Sequence, residues 1–501
     1  MTKIVIDKEY EIGKLEENVW GSFLEHMGRA VYGGIYDPNH PLADEEGFRA
    51  DIKDAVREIG VPIIRYPGGN FVSGYDWKDG VGKTRSARPD IAWGQIEPNT
   101  IGLHEFSSWA EKVNAKVMMA VNLGTGTPKE AGELVEYCNF EKGTKYSDMR
   151  RENGREAPFS IKTWCLGNEM DGPWQTGAKT AEEYGRIAAE AAKIMRGLDP
   201  SIELVVCGSS SPDMPTYPEW DRIVLQHTYD YADYISLHRY YTYTQSERME
   251  DFLSAHTDLD TFIKSVGATV DYVKAYKRSK KTVKLSIDEW NIWHTRPVFN
   301  NKDVYNDIFR DRWTVGPRRL EMYYDMADAI AFAGLVCALI NNADRVKMGC
   351  LAQLVNVIAP IMTENGGRMF KQTICYPYEL AIRYAKGTAL RLTGVCDKME
   401  TERGETETVY SACAYENGEY TVFAINKTAE AQTYGIEFRG NEATMIRRLE
   451  MTGELHSFND FDAPFRVVPR EAVCEKGKKS AFTVKLLPYS FNVFRFKEIH
   501  S

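Results

Sequence analysis

The sequence predicts an α/β protein, a (β/α)8 TIM barrel followed by a C-terminal antiparallel β-sandwich of jelly-roll type. Three observations carry that expectation. Eight short strand-like runs recur between residues 18 and 385 with helix-like segments between them, and several are too apolar to alternate in and out, as strands covered on both faces are. Beyond residue 386 the texture changes to closely spaced β-rich runs broken by turn residues. The chain has 501 residues, too many for one ordinary domain.

Taken in order, the opening run Lys3–Ile6 precedes the barrel, which does not need it; residues 1–17 are expected to pair with the sandwich. The catalytic barrel spans 18–385, with strands expected at Val19–Glu25, Val61–Tyr66, Lys116–Leu123, Thr163–Glu169, Leu204–Gly208, Tyr234–His238, Val283–Glu289 and Lys347–Val355. The clearest helix runs from Thr180 to Leu198, capped by Thr180, with Glu182 and Glu183 in its first turn and Asp199-Pro200 as its stop. Ala327 to Asn341 is almost wholly apolar, and a helix hydrophobic on every side has to be buried. The longest apolar run, Ala329–Ile340, is too short to span a bilayer. Residues 386–501 form the sandwich: Asn417-Gly418 turns a hairpin between Thr408–Tyr415 and Glu419–Ile425, and Phe482–Leu487 and Phe491–Phe496 flank Pro488 in the same style.

Composition narrows the function. A net charge of −10 without a long basic run argues against nucleic acid or an anionic membrane as partner and favours a neutral substrate. The nine cysteines are scattered, and Cys165, Cys207 and Cys337 lie in apolar runs, as reduced buried thiols do. No Cys-x-x-Cys or His-x-x-x-His cluster suggests a metal, and no cofactor is expected. The start has no apolar stretch of secretion-signal length, so a cytoplasmic location is expected.

Residues at barrel-strand C-termini face the active-site end, whereas strand middles fill the core. Sorting polar residues by that rule gathers Glu25-His26, Arg65 through Asn70, Asn122, Asn168-Glu169, His238-Arg239-Tyr240, Glu289-Trp290-Asn291 and Gln353 at one rim. So many polar groups have no place in a core unless paired, and together they suit a hydroxyl-rich ligand. Two glutamates at strand ends, Glu169 and Glu289, are what a glycosidase sets around a scissile bond. The proton donor must stay protonated near neutral pH, which apolar surroundings or a second carboxylate achieve. Glu169, between Trp164-Cys165-Leu166-Gly167 and Trp174, has such surroundings, and Glu289 is then the nucleophile. A salt-bridged rim carboxylate is the bland alternative for either. Asp288 is expected on the opposite face of the strand from Glu289. Trp290, Trp293 and His294 offer flat faces for sugar rings, although core packing suits Trp290 equally well. Arg65 is expected to orient Glu289, and His238 is the best active-site histidine. Gly68-Gly69 fits a close backbone approach to a ligand better than a phosphate loop.

The blocks Gly21 to Arg29, Tyr32-Gly33-Gly34-Ile35, Arg65 to Tyr75, Asn122 to Thr127, Leu166 to Gln175, Ser236-Leu237-His238 and Asp288-Glu289-Trp290-Asn291 resemble the family 51 glycoside hydrolases, the α-L-arabinofuranosidases. The resemblance runs through the barrel and into Leu487-Pro488-Tyr489-Ser490 of the closing strands. It implies a retaining two-step mechanism with Glu169 as acid/base and Glu289 as nucleophile. It also implies that Glu25, Asn70, Asn168, Tyr240 and Gln353 hold furanose hydroxyls, while Trp93 and Trp293 shape the pocket and the aglycone side. No metal, an arabinose-containing oligosaccharide as substrate and a homo-oligomer, often a hexamer, follow from the same resemblance. Ile101 and Arg239 depart from the family pattern, and the segment Thr295–Pro317, expected beside the leaving group, is not readable against it. A β-glucanase or β-xylosidase on the same barrel, or a non-catalytic sugar-binding barrel, are the alternatives.

Overall fold

A computed structural model describes residues 2–243, 248–294 and 310–499. Eight parallel strands close a barrel in sequence order: Gly21–Phe23, Ile63–Tyr66, Lys116–Val121, Thr163–Leu166, Glu203–Val206, Tyr234–Tyr241, Lys284–Ile292 and Val346–Ala352, here barrel strands 1 to 8. Each sits where the sequence puts it, with shifted ends. Strand 1 is shorter than expected because Glu17–Trp20 coils into a 3-10 turn, whereas strands 6 and 7 run three residues further and pair with each other to Tyr241 and Ile292.

The helix Ala181–Leu198 begins at a reciprocal cap, in which the Thr180 hydroxyl accepts the Glu183 N–H and the Glu183 carboxylate accepts the Thr180 N–H. The apolar helix, Met326–Asn341, starts from the same device at Asp325 and Asp328. All its residues except Asn341 are buried. Trp290 of strand 7 stacks on its Phe332, while Asn341 donates to Tyr410 and Ser411 of the sandwich. Its uniform hydrophobicity therefore has two covers, the barrel on one side and the sandwich on the other.

The sandwich consists of a seven-stranded and a four-stranded sheet. Alternation along the central strands sorts their side chains: Ala412, Ala414, Phe423, Ile425 and Val493 join the barrel's core, while Cys413, Val422, Ala424, Phe494 and Phe496 face the other sheet. The seven-stranded sheet is thus buried on both faces. Both N-terminal strands are built into this region. Glu11–Lys14 pairs antiparallel with Thr388–Leu390, and Thr2–Ile6 lies between Thr393–Val395 and Gln432–Phe438. The pairing with Gln432–Phe438 is parallel, an exception to the antiparallel expectation.

All nine cysteines are free, seven of them buried. No helix among the described residues is long and apolar enough to cross a membrane. Ile6 is 1% exposed in the core between the two sheets. Ile6→Ala is expected to cost about 2–5 kcal/mol in chemical denaturation, the range for large-to-small core changes. A loss below about 0.5 kcal/mol, the size of ordinary surface changes, would show that the N-terminal strand adds nothing to the sandwich.

Candidate active site

Because strands 6 and 7 are long, their polar residues project above the barrel core. Alternation on strand 6 turns His238 and Tyr240 toward strand 7's Glu289, while Arg239 and Tyr241 reach Asp258 on an outer helix at 2.6 and 3.0 Å. Strand 7 breaks alternation. Ser286 pairs with Ser236 and Glu289 with His238, so three steps oppose two, a β-bulge. Asp288 consequently does not face away from Glu289, as expected, but shares its partners. Its Oδ1 accepts from the Ser236 hydroxyl and faces His238 Nε2 at 3.4 Å, and its Oδ2 lies 3.5 Å from Arg65 Nε.

Glu289 is buried and held at both oxygens. Arg65 Nη1 donates to Oε1 at 2.7 Å and the Tyr240 hydroxyl to Oε2 at 2.7 Å. Burial raises its pKa; the His238 cation opposes this, the Glu169 charge adds to it, and Arg65 again opposes. The other arm of Arg65 donates to Asn168 Oδ1 at 2.6 Å. Asn168 donates to Gln175 Oε1 at 3.2 Å, and Gln175 donates to the Ser73 hydroxyl at 2.5 Å.

Glu169 follows the end of strand 4 in a tight turn, with Gly167 at φ 92° and Glu169 itself at φ 42°. A left-handed backbone at a non-glycine residue is strained, and such strain clusters where a side chain must be aimed. Glu169 Oε2 accepts from Trp174 Nε1 at 2.6 Å, and Oε1 meets His238 Nδ1 at 2.9 Å. His238 also lies 3.6 Å from Glu289 Oε2. Burial alone would lower an imidazole's pKa, yet the charge of Glu289 and the contacts with Asp288 and Glu169 push this one up to about 10. At neutral pH the ring is a cation beside Asp288, Glu169 and Glu289.

Glu25 forms the other wall. The Phe71 N–H and Trp93 Nε1 donate to its Oε1 at 3.0 and 2.9 Å. Gln353 accepts the Glu25 N–H at 3.0 Å and donates to Oε2 at 3.4 Å. Burial pushes the Glu25 carboxyl up to about 8, the hydrogen bonds opposing and the charge of Glu289 adding. A Cβ on Gly69 would come within 2.7 Å of Glu25 Oε2, so this glycine makes room for a side chain of the chain itself, where the sequence suggested a ligand. Half-buried Asn70 opens the 3-10 turn Asn70–Gly74 beside Phe71. Trp293 meets Tyr240 edge-on at 5.3 Å between ring centroids.

Several expectations change. Trp290 stacks on Phe332 and His294 pairs with Asp328 at 2.8 Å, so both belong to the core beneath the apolar helix and are not sugar platforms. Asn122 accepts the N–H groups of Gly124, Thr125 and Gly126, closing its own loop. Residues 295–309 of the segment expected beside the leaving group lie outside the described residues. Gln175 and Ser73, which fix Asn168, were not foreseen as supports, and Trp174, expected to give Glu169 apolar surroundings, is half-exposed and donates a hydrogen bond to it. Their proximity in sequence to the motifs was a signal for Trp174 and Gln175, but nothing local ties Ser73 to them.

One ligand atom each from Glu169, His238 and Glu289 lie within 4.8 Å of one another, the single group with metal-ligand spacing found among the described residues. Hydrogen bonds and charge within the cluster account for this closeness, and His238 would have to lose its proton to ligate; we assign no metal.

Comparison with known proteins bears on the family and the fold. Residues 55–261 match the model of the alpha-L-arabinofuranosidase 1 domain and residues 288–490 that of the alpha-L-arabinofuranosidase C-terminal domain. The chain is 48% identical over 99% of both lengths to the intracellular exo-alpha-(1->5)-L-arabinofuranosidase 1 of Bacillus subtilis. It is 48% identical, over 86% of its own length and 84% of the relative's, to an exo-alpha-(1->6)-L-arabinofuranosidase of Bifidobacterium longum. The solved structure of a family 51 alpha-L-arabinofuranosidase from Bifidobacterium longum superposes with a TM-score of 0.93 at 35% identity, covering 99% of each chain.

Arg65→Ala would remove a cation that opposes the raised pKa of Glu289, so Glu289 should ionise only at higher pH. The acidic limb of the pH–activity profile is expected to move up by about one unit or more, the usual effect of a contacting opposite charge. An unmoved limb would mean that Arg65 does not set the charge of Glu289.

Proposed function

The chain belongs to the family 51 α-L-arabinofuranosidases and is an exo-acting glycoside hydrolase, and from that premise we propose that it removes terminal non-reducing α-L-arabinofuranosyl residues by double displacement, with Glu289 as nucleophile and Glu169 as acid/base. The observation that carries the mechanism is the spacing of the two glutamates, whose nearest ligand atoms lie within 4.8 Å. Retaining glycosidases hold their carboxyl groups about 5–5.5 Å apart, whereas inverting ones leave about 6.5–9.5 Å for a water.

In the first step the Glu289 carboxylate forms a bond to the anomeric carbon while Glu169 gives its proton to the departing glycosidic oxygen. In the second, Glu169 takes a proton from water as the water's oxygen attacks the same carbon, and Glu289 leaves as carboxylate. Arg65 and Tyr240 occupy both oxygens of Glu289 and so fix the direction of attack. Glu25, Asn70, Asn168, Tyr240 and Gln353 take the furanose hydroxyls in this reading, with Trp93 and Trp293 as walls. Glu25, its pKa pushed up to about 8, carries a proton at neutral pH and can then donate as well as accept. In this reading the substrates are arabinan- or arabinoxylan-derived oligosaccharides met inside the cell, where the name of the Bacillus relative places that protein. Relatives of equal identity carry names for 1→5 and 1→6 linkages, so linkage depends on residues around the leaving group; defined arabino-oligosaccharides with products identified would read it.

The protein is expected to release 4-nitrophenol from 4-nitrophenyl α-L-arabinofuranoside, with the α-anomer as first product by NMR. Cleavage of aryl β-glucosides or β-xylosides in its place would favour the glucanase or xylosidase reading, and binding without turnover the non-catalytic one. Glu169→Ala should lower kcat/KM by about 10²–10⁴ on poor leaving groups, the usual contribution of general acid catalysis, and be partly rescued by azide. Glu289→Ala should abolish turnover while sugar binding persists. The hexamer implied by the resemblance belongs to the same reading, and sedimentation at the mass of a monomer would refute it.

A further inference from the structure

The β-bulge on strand 7 brings a third carboxylate, Asp288, to the catalytic pair, and neither step above uses it. Its surroundings are specific. Asp288 is 1% exposed, takes the Ser236 hydroxyl, and faces both Arg65 and His238. Among the described residues His238, 3% exposed, is the one that reaches it and also both glutamates: Nε2 faces Asp288 at 3.4 Å, while Nδ1 meets Glu169 at 2.9 Å and Glu289 at 3.6 Å. A ring with one nitrogen anchored can present only the other. Outer carboxylates fix ring orientation and protonation in this way wherever a buried histidine must act in one direction.

We propose that Asp288 is a positioning residue for the acid/base, anchoring His238 at Nε2 so that Nδ1–H is aimed at Glu169. The proposal rests on the reading of Glu169 as acid/base. The aimed N–H holds the Glu169 carboxyl toward the glycosidic oxygen in the first step and, once Glu169 has given up its proton and Glu289 has become an ester, toward the attacking water. The cationic state of the ring, its pKa pushed up to about 10, accords with protons on both nitrogens. Without Asp288 the ring could turn, and the buried cation would lose one of the carboxylates that keep it charged. Ordinary alternation would have sent Asp288 outward; the bulge is the structural cause of the arrangement.

The test compares Asp288→Asn with the parent enzyme by kcat/KM, which reports the first step, on two substrates. 4-Nitrophenyl α-L-arabinofuranoside needs little proton donation, whereas an arabinobiose has a poor leaving group that needs it fully. Since general acid catalysis contributes about 10²–10⁴-fold, a misaimed donor is expected to cost about 10–100-fold on the arabinobiose and less than about 3-fold on the aryl substrate. Equal losses on both would overturn the proposal, because Asp288 would then act through Arg65 and the nucleophile. A cycle with His238→Asn gives a second readout: if Asp288 acts through His238, the double variant matches His238→Asn alone, and additive losses overturn the proposal. Glu169→Ala run alongside separates the premise. If that variant shows no leaving-group dependence, the acid/base assignment has failed, whatever Asp288→Asn does.

Discussion

The site depends on charge neutrality in a dry place. Asp288, Glu289, Arg65 and His238 are each at least nine-tenths buried, and none could be there ionised alone. Two cations stand against two buried carboxylates and the partly exposed Glu169, and each group's geometry is the condition for its neighbour's charge. Arg65 has the central place, since its fork reaches Glu289 with one nitrogen and Asn168 with the other. A lysine would supply the charge without the fork, and Asn168 would lose the donor that turns its amide.

The scaffold serves this cluster by length and by irregularity. Strands 6 and 7 extend beyond what barrel closure needs and present His238, Tyr240 and Glu289 on rigid backbone. Glu169 instead sits on a strained turn, braced by Trp174 and by the Asn168, Gln175 and Ser73 chain of hydrogen bonds. A nucleophile that must attack along one line gains from a stiff strand. A proton donor and acceptor that meets two different oxygens suits a turn held by side chains.

The barrel, the sandwich and both glutamates were legible because they rest on local signals: apolar runs, Asn417-Gly418, polar residues at strand ends. What stayed hidden depends on register. Period-2 counting put Asp288 on the far face from Glu289, and only pairing with strand 6 reveals the extra residue that overturns the count. Trp290 could have been platform or core, and the apolar helix, readable as buried but not as buried against what, decides for core. Gly69 was recognisable as a close approach, but the thing approached is Glu25, a contact between residues far apart in sequence. Charge coupling was equally invisible, since the cation on His238 arises from Asp288 and Glu289 on the neighbouring strand and Glu169 on a turn.

The N-terminal strand carries a consequence for how the chain comes into being. Thr2 pairs with Tyr434 and Ile6 with Phe438, so this strand leaves the ribosome long before those partners do. Until then its apolar face, Ile4 and Ile6, lacks that cover, and the barrel forms with a sticky strand beside it. The last strand, Ser490–Ile499, then lies between Glu419–Asn426 and Glu442–Thr452. Without Ser490–Ile499 the seven-stranded sheet would be left with an open edge at each side of the gap.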